Sequence, residues 1–434
     1  MSSLSIKKPA RERCWNRSGT SPAPEKKPGT IKSQAAGYLL HKPGLAAFGV
    51  ILVFAAWSNQ TSIVLLMGLF LSAALLAKGW SRLSLMGVTC QRSLSQTRVF
   101  PGDTVNLILH VSNRKPLPLP WVQVDDHLPP GLTAKAPASS LENGSIRRRA
   151  ALLWYRSVRW TCPIECSKRG FYPFGPLETT SGDIFGLYSR SLAWNTRDHI
   201  IVFPRIFPVR RMPIPPVHPM GNSKTERRIF QDPTRTIGVR EYRPGDSLRN
   251  IHWKASARTQ GLQVKVFEPT ALFKVAFCLG VDTFSREGSL TTDDFELGID
   301  AAASIACEVM EHGGPAGLFV NTRLADTGQG VSIPPSGDRK QLGNILEALA
   351  KTTPSWSVAF GPFLEKERRS LKAGTTLVLV ISKPPDDFHQ ILLSLREAGH
   401  PLLVLLIGEQ EKTPLIAGVS CLNVRSPMDL AKNG

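Results

Sequence analysis

A chain of 434 residues, 42% hydrophobic and 20% charged, has room for two soluble domains beside a membrane segment. Its seven cysteines (Cys14, Cys90, Cys162, Cys166, Cys278, Cys307 and Cys421) are odd in number and scattered, with only Cys162 and Cys166 close, which excludes a disulfide-stapled scaffold and a paired-cysteine zinc site. The net charge of +19 is unevenly spread: residues 1–42 carry +7, residues 43–204 carry +8, residues 205–265 carry +9 and residues 266–434 carry −5. The basic part lies close to an apolar segment, so an anionic lipid surface accounts for it, and no nucleic acid partner is expected.

Residues 1–37 are rich in Lys, Arg, Ser, Pro and Gly and read as a disordered basic tail. Residues 38–78 read as a transmembrane helical hairpin. Pro43 to Trp57 carries no charge, Ser58-Asn59-Gln60 is a polar link, and Thr61 to Ala77 is again uncharged. Each half is a little short of the roughly 20 residues of a full span. A secretory signal is the competing reading, but there are two apolar runs and the first starts far from Met1. Lys and Arg flank both outer ends (Arg17, Lys26, Lys27, Lys32 and Lys42; Lys78, Arg82 and Arg92), and the turn has none. The positive-inside rule then places the N-terminus and the C-terminal domains in the cytoplasm.

Residues 85–205 alternate and break like short strands. Asn106 to Asn113 follows the turn signal Pro101-Gly102-Asp103, and Trp121 to Asp125 is closed by Pro129-Pro130-Gly131. A β-sandwich is expected here, serving as spacer or docking module.

Residues 206–268 form a basic segment that ends in GVREYRPGDSLRNIHWKASARTQGLQVKVFE, Gly238 to Glu268. Arg240, Arg243, Arg249, Lys254 and Arg258 surround Tyr242, His252 and Trp253. Two readings stand. The arginines form an anion or docking site, because guanidinium groups suit phosphate and carboxylate bidentately. Alternatively Asp246 and Glu241 pair with them to clamp the segment onto the next domain, with Trp253 filling a core gap. Pro244-Gly245-Asp246 reads as a turn, with Asp246 capping the helical turn that contains Leu248 and Ile251. A catalytic His252 would need a partner and a pocket that cannot be read here.

From residue 269 to 434 strands alternate with helices. Phe273 to Val281, Ala316 to Val320, Thr376 to Ile381 and Leu402 to Ile407 are apolar strand runs. Glu296 to His312, Leu342 to Leu349 and Phe388 to Ala398 are helical. That pattern predicts a parallel sheet covered on both faces.

The run Arg240-Glu241-Tyr242, Pro244-Gly245-Asp246, Arg249, Ile251-His252-Trp253-Lys254 and Ala257-Arg258 resembles the signature of the bacterial domain of unknown function fifty-eight family. Lys168 to Tyr172, Asp183 to Leu187 and Val202 to Ile206 resemble the family's upstream pieces. The resemblance implies a protein of the bacterial inner (plasma) membrane that works with a MoxR-type AAA ATPase. It also implies a von Willebrand factor type A-like (Rossmann-like) C-terminal domain. The expected architecture is therefore multidomain: transmembrane helical hairpin, β-sandwich, then that α/β domain. Such domains often hold magnesium through Asp-x-Ser-x-Ser, a hard-cation site of several oxygens. Here the run is Asp282-Thr283-Phe284-Ser285-Arg286, with Phe284 and Arg286 in both serine positions. The metal site is expected to be degenerate, leaving Asp282 as a turn or helix cap or an Arg286 partner.

No Gly-Lys-Ser/Thr phosphate loop is present, and no stretch assembles a nucleophile, base and oxyanion donors. No cofactor is called for. The leading expectation is a non-catalytic accessory or docking protein acting in assembly or maturation of complexes. The alternatives are an anion or nucleic-acid binder using the signature arginines, and an uncharacterised hydrolase.

Overall fold

The computed structural model describes residues 28–35, 42–135, 141–142, 144–209, 231–243, 246, 248–259, 261–269, 274–286, 289–290, 292–408 and 419–432. The chain divides into two compact units, Met1–Phe203 and Pro204–Gly434.

In the first unit, helix α1 (Lys42–Trp57) and helix α2 (Thr61–Ser84) follow one another across a three-residue link. Asn59 turns the link with φ 58°, a left-handed conformation that Asn tolerates better than most residues. The Phe48 and Phe70 rings meet across the pair, centroids 4.8 Å apart. Of the two, α2 is long and apolar enough to cross a membrane; α1 has a shorter apolar stretch, Ala46–Trp57. Among the described residues the buried positions of α2 are Ala74, Ala77, Ser81 and Ser84, all in its later turns.

The rest of the unit is β-rich. One sheet runs Pro28–Ala35, Tyr188–Trp194, Leu177–Gly182, Leu119–His127, Ser145–Leu152 and Leu141–Glu142; another runs Val88–Leu94, Asp103–Asn113, Ser157–Cys166 and Leu132–Ala134. Period-two alternation sends Val105, Leu107, Leu109 and Val111 inward, where they share one apolar core with Val122, Val124, Ile146 and Leu177. Within residues 1–37, expected to be a disordered tail, Pro28–Ala35 is a strand. It pairs antiparallel with Tyr188–Trp194, Ala35 opposite Tyr188 and Ser33 opposite Arg190. The physical reason is the sheet edge, whose unpaired N–H and C=O groups accept an added strand whatever its side-chain polarity. Residues 1–27 of that tail lie outside the described residues.

Inside this unit Arg92 is fully buried. Its Nη1 donates to Asp126 Oδ1 at 2.6 Å, its Nε donates to Asp198 Oδ2 at 2.9 Å, and Nη2 also donates to Thr196. The guanidinium lies 4.8 Å over the Phe174 ring. Burial pushes the Asp126 carboxyl up to about 6 against the opposing pull of Arg92, and its Oδ2 makes no hydrogen bond within the protein.

The second unit opens with Arg205 and Phe207 donating backbone N–H groups to Asp300 and Ser304 of helix α4 (Thr292–Glu311). Its main sheet has the order Gly330–Ser336, Ala316–Arg323, Val275–Leu279, Thr376–Ile381, Leu402–Ile407 and Ser420–Val424. All neighbours are parallel except Gly330–Ser336, which is antiparallel at one edge. The Val275–Leu279, Thr376–Ile381 and Leu402–Ile407 strands are buried at every position, as a sheet covered on both faces requires. Helices α5 (Gln341–Lys351), α6 (Phe360–Arg368) and α7 (Phe388–Glu397) complete the layers.

Candidate functional site

The signature segment folds as an antiparallel ribbon with a helical cap. The Gln231–Glu241 strand pairs with Gln263–Pro269, Arg240 opposite Val264 and Glu241 opposite Gln263. Between them lie a 3-10 turn, Leu248–Asn250, and helix α3, Trp253–Thr259. The α3 helix is short, and its start is set by His252. The His252 Nδ1 accepts the Ala255 N–H at 3.0 Å, so the imidazole acts as an N-terminal cap. The His252 N–H donates to Gln263 O, and Ser256 Oγ accepts the Gln263 N–H at 2.9 Å, which ties α3 to the ribbon. Ile251 and Val264, both buried, form a bridge beneath.

Arg240 is held by Asp246 through two charge-assisted hydrogen bonds, Nη1 to Oδ2 at 2.7 Å and Nη2 to Oδ1 at 2.6 Å. Asp246 Oδ2 also accepts the Arg243 N–H at 2.9 Å. These bonds, Arg240 first, hold the Asp246 carboxyl down at about 2. The same contacts raise Arg240 above its ordinary value. Asp246 therefore caps the turn that begins at Arg243. The ion pair ties the end of the Gln231–Glu241 strand to the turn that follows it.

Trp253 is 69% exposed and Leu248 is 66% exposed, so Trp253 fills no core gap. Its position, first in α3, turns it to solvent while Ile251 takes the buried place. Arg243, Lys254 and Arg258 are exposed beside it in sequence, and Tyr242 is half-buried. The Arg249 side chain and Pro244-Gly245 lie outside the described residues. Among the expected site residues, Arg240, Asp246 and His252 are thus occupied in holding the tip together, and Arg243, Trp253, Lys254 and Arg258 are presented.

The carboxyl end of the parallel sheet, where open α/β sheets usually bind ligands, is built around Asp282. Its Oδ1 accepts from Asn321 Nδ2 at 2.7 Å, and its Oδ2 accepts the Phe360 N–H at 2.9 Å. Asn321 in turn receives the Val281 N–H at 2.7 Å and donates to Val358 O. Asp282 is thereby a cap on α6, its charge placed at the positive end of that helix. Phe284 is fully buried against Phe295, ring centroids 5.7 Å apart, and cannot supply an oxygen. The Arg286 side chain lies outside the described residues. No group of three or more His, Cys, Asp or Glu side chains among the described residues could hold a metal ion. Sequence reasoning missed Asn321, whose sole outward sign is a polar residue at the end of the apolar strand Ala316–Arg323.

Residues 238–414 match the family model described as "Protein of unknown function DUF58". The chain is 28% identical over 229 residues to "Uncharacterized protein YeaD" of Bacillus subtilis (strain 168), a match covering 52% of this chain and 54% of the relative. It thus aligns with about half the length of that relative. Two solved structures are similar over a small part. One is an alpha-2-macroglobulin from Escherichia coli, with TM-score 0.21 and 18% identity over 27% of this chain and 24% of that one. The other is a putative membrane anchored protein from Corynebacterium diphtheriae, with TM-score 0.21 and 13% identity over 28% and 33%.

Proposed function

We propose that this protein is a non-catalytic, membrane-anchored docking protein, and that the signature tip is its docking face. The observation that carries the reading is the division of labour at that tip. The Arg240–Asp246 pair and the His252 cap rigidify it, while Trp253, Leu248, Arg243, Lys254 and Arg258 stand exposed. Tryptophan and arginine dominate binding hot spots, and a rigid tip loses little entropy on association. A MoxR-type AAA ATPase is the partner that the signature's family resemblance suggests, since the chain has no phosphate loop of its own.

The finer architecture belongs to the same proposal. The C-terminal sheet is read as a von Willebrand factor type A-like domain, supported by its strand order and single antiparallel edge. The helices α1 and α2 are read as a two-span hairpin with both flanks in the cytoplasm. The pairing of Pro28–Ala35 with Tyr188–Trp194 supports an even number of crossings, because it holds the chain before α1 to the β-rich unit that follows α2.

The test is gentle detergent extraction of the tagged full chain from its native membrane, with mass spectrometry of what co-purifies. Recovery of a MoxR-type ATPase, lost on Trp253→Ala with Lys254→Ala, is the expected result. A lone protein, or an ATPase retained by that double variant, overturns the docking face. Binding of RNA or DNA with a steep salt slope would favour a polyanion partner instead.

A further inference from the structure

The turn that follows Leu177–Gly182 presents two large apolar side chains to solvent: Ile184 is 65% exposed and Phe185 is 70% exposed. This turn is not a loose loop. The buried Asp183 carboxylate accepts three backbone N–H groups, from Phe185 at 2.9 Å, Leu187 at 3.2 Å and Tyr188 at 2.7 Å. Trp121 Nε1 donates to the Asp183 carbonyl at 3.0 Å. Gly182 allows the close approach, since a Cβ there would lie 2.3 Å from the Tyr188 carbonyl. A turn braced this firmly holds Ile184 and Phe185 outward by construction.

Its neighbour is α2. Leu187 and Tyr188 pack against Ala74 and Ala77, just before Lys78, the first charge on that helix. Along α2, Leu65, Leu66, Leu69, Leu75 and Leu76 are all more than half exposed. Ala35 pairs with Tyr188, so the chain also leaves for α1 from beside the same turn. The α1 helix has 16 residues, about 24 Å, and α2 up to Ala77 is of similar length. As a whole α2 is long enough to cross a bilayer, and its uncharged run ends at Ala77, level with this turn. The turn therefore lies beside α2 where its apolar run gives way to Lys78, the depth at which a span meets the bilayer interface.

We propose that Ile184 and Phe185 form an apolar foot that enters the bilayer interface beside α2 and sets the depth of the β-rich unit. This rests on the reading of α2 as a membrane span. The partner is the headgroup–acyl boundary of the same membrane. Lys78 and Arg82 on α2, and Arg190 on the adjoining strand, supply cations for anionic headgroups at that level.

Single nitroxides test it on the full chain, in vesicles of phosphatidylcholine and phosphatidylglycerol. They are placed at Ile184→Cys, Phe185→Cys, Leu66→Cys, Leu76→Cys and Thr104→Cys, with Cys14, Cys307 and Cys421 changed to Ser. The readout is collision with oxygen, which concentrates in lipid, against a water-soluble nickel chelate. The expected result is an oxygen-to-nickel ratio at both foot positions matching that of Leu76 and several-fold above that of the exposed Thr104. A lipid-buried Leu66 with a nickel-accessible foot overturns the foot and leaves the span standing. A nickel-accessible Leu66 removes the span, and the foot with it. A foot shielded from both reagents is covered by protein and also overturns the proposal.

Discussion

Arg240 and Asp246, six residues apart, meet through two hydrogen bonds of 2.7 and 2.6 Å and close the turn on which the exposed face of the signature is mounted. The pair acts on shape, and its energetic worth at a solvent-accessible site is modest. Asp246→Asn should therefore leave global stability nearly unchanged and speed amide exchange at Arg243 and Asp246, read by hydrogen-exchange mass spectrometry. Because the folded carboxyl sits near 2, below its usual value, the pair's contribution is fully present above about pH 4 and lost as pH falls through about 2. Exchange at these amides should be flat from pH 7 to 4 after correction for intrinsic rates. A local opening within that range would sink the assignment.

The Arg92 network makes the opposite pH prediction. Asp126 is raised by burial to about 6, so its stabilising contribution is fully present below its unfolded value near 4 and is lost as pH rises through about 6. The unfolding free energy from urea titration should fall between pH 4 and pH 7 by an amount on the order of 2 kcal/mol, and Asp126→Asn should flatten that slope. Arg92→Leu leaves two carboxylates without their cation and should cost about 3–5 kcal/mol.

Asp282 caps α6 and orients Asn321. Asp282→Ala should lower stability by about 1–2 kcal/mol, the usual worth of a helix cap. The same variant should show no change in response to magnesium, since the wild-type melting temperature is itself expected to be magnesium-independent. A magnesium-induced rise in the wild type that vanishes in Asp282→Ala would reverse the reading of this carboxylate.

With α1 and α2 as a hairpin, protease added outside intact cells should leave the second unit uncut, and should digest it once the membrane is permeabilised. Cleavage within Pro204–Gly434 in intact cells would invert the topology.

The pattern of the α/β sheet was legible because buried parallel strands are continuous apolar runs: Thr376 to Ile381 and Leu402 to Ile407 read directly. The edge strands did not. Gly330–Ser336 contains two prolines and pairs on one side, and Ser420–Val424 is half polar, so neither carries a strong pattern. The signature was visible as composition, but which residues brace and which are presented was not. Arg240 and Arg243 look alike in sequence, yet Arg240 binds Asp246 through its guanidinium and Arg243 through its backbone N–H.

By itself the sequence determined the order of parts: a basic start, an apolar pair, many short strands, a basic signature and an alternating α/β region. These follow from local periodicity and composition, which need no knowledge of what lies opposite. The tertiary structure alone decided that Pro28–Ala35 is a strand, that Asp282 caps a helix 78 residues away, and that Ile184 and Phe185 stand exposed beside α2. Each of those depends on a partner distant in the chain, and the free energy of a pair belongs to the pair, so neither member's sequence carries it.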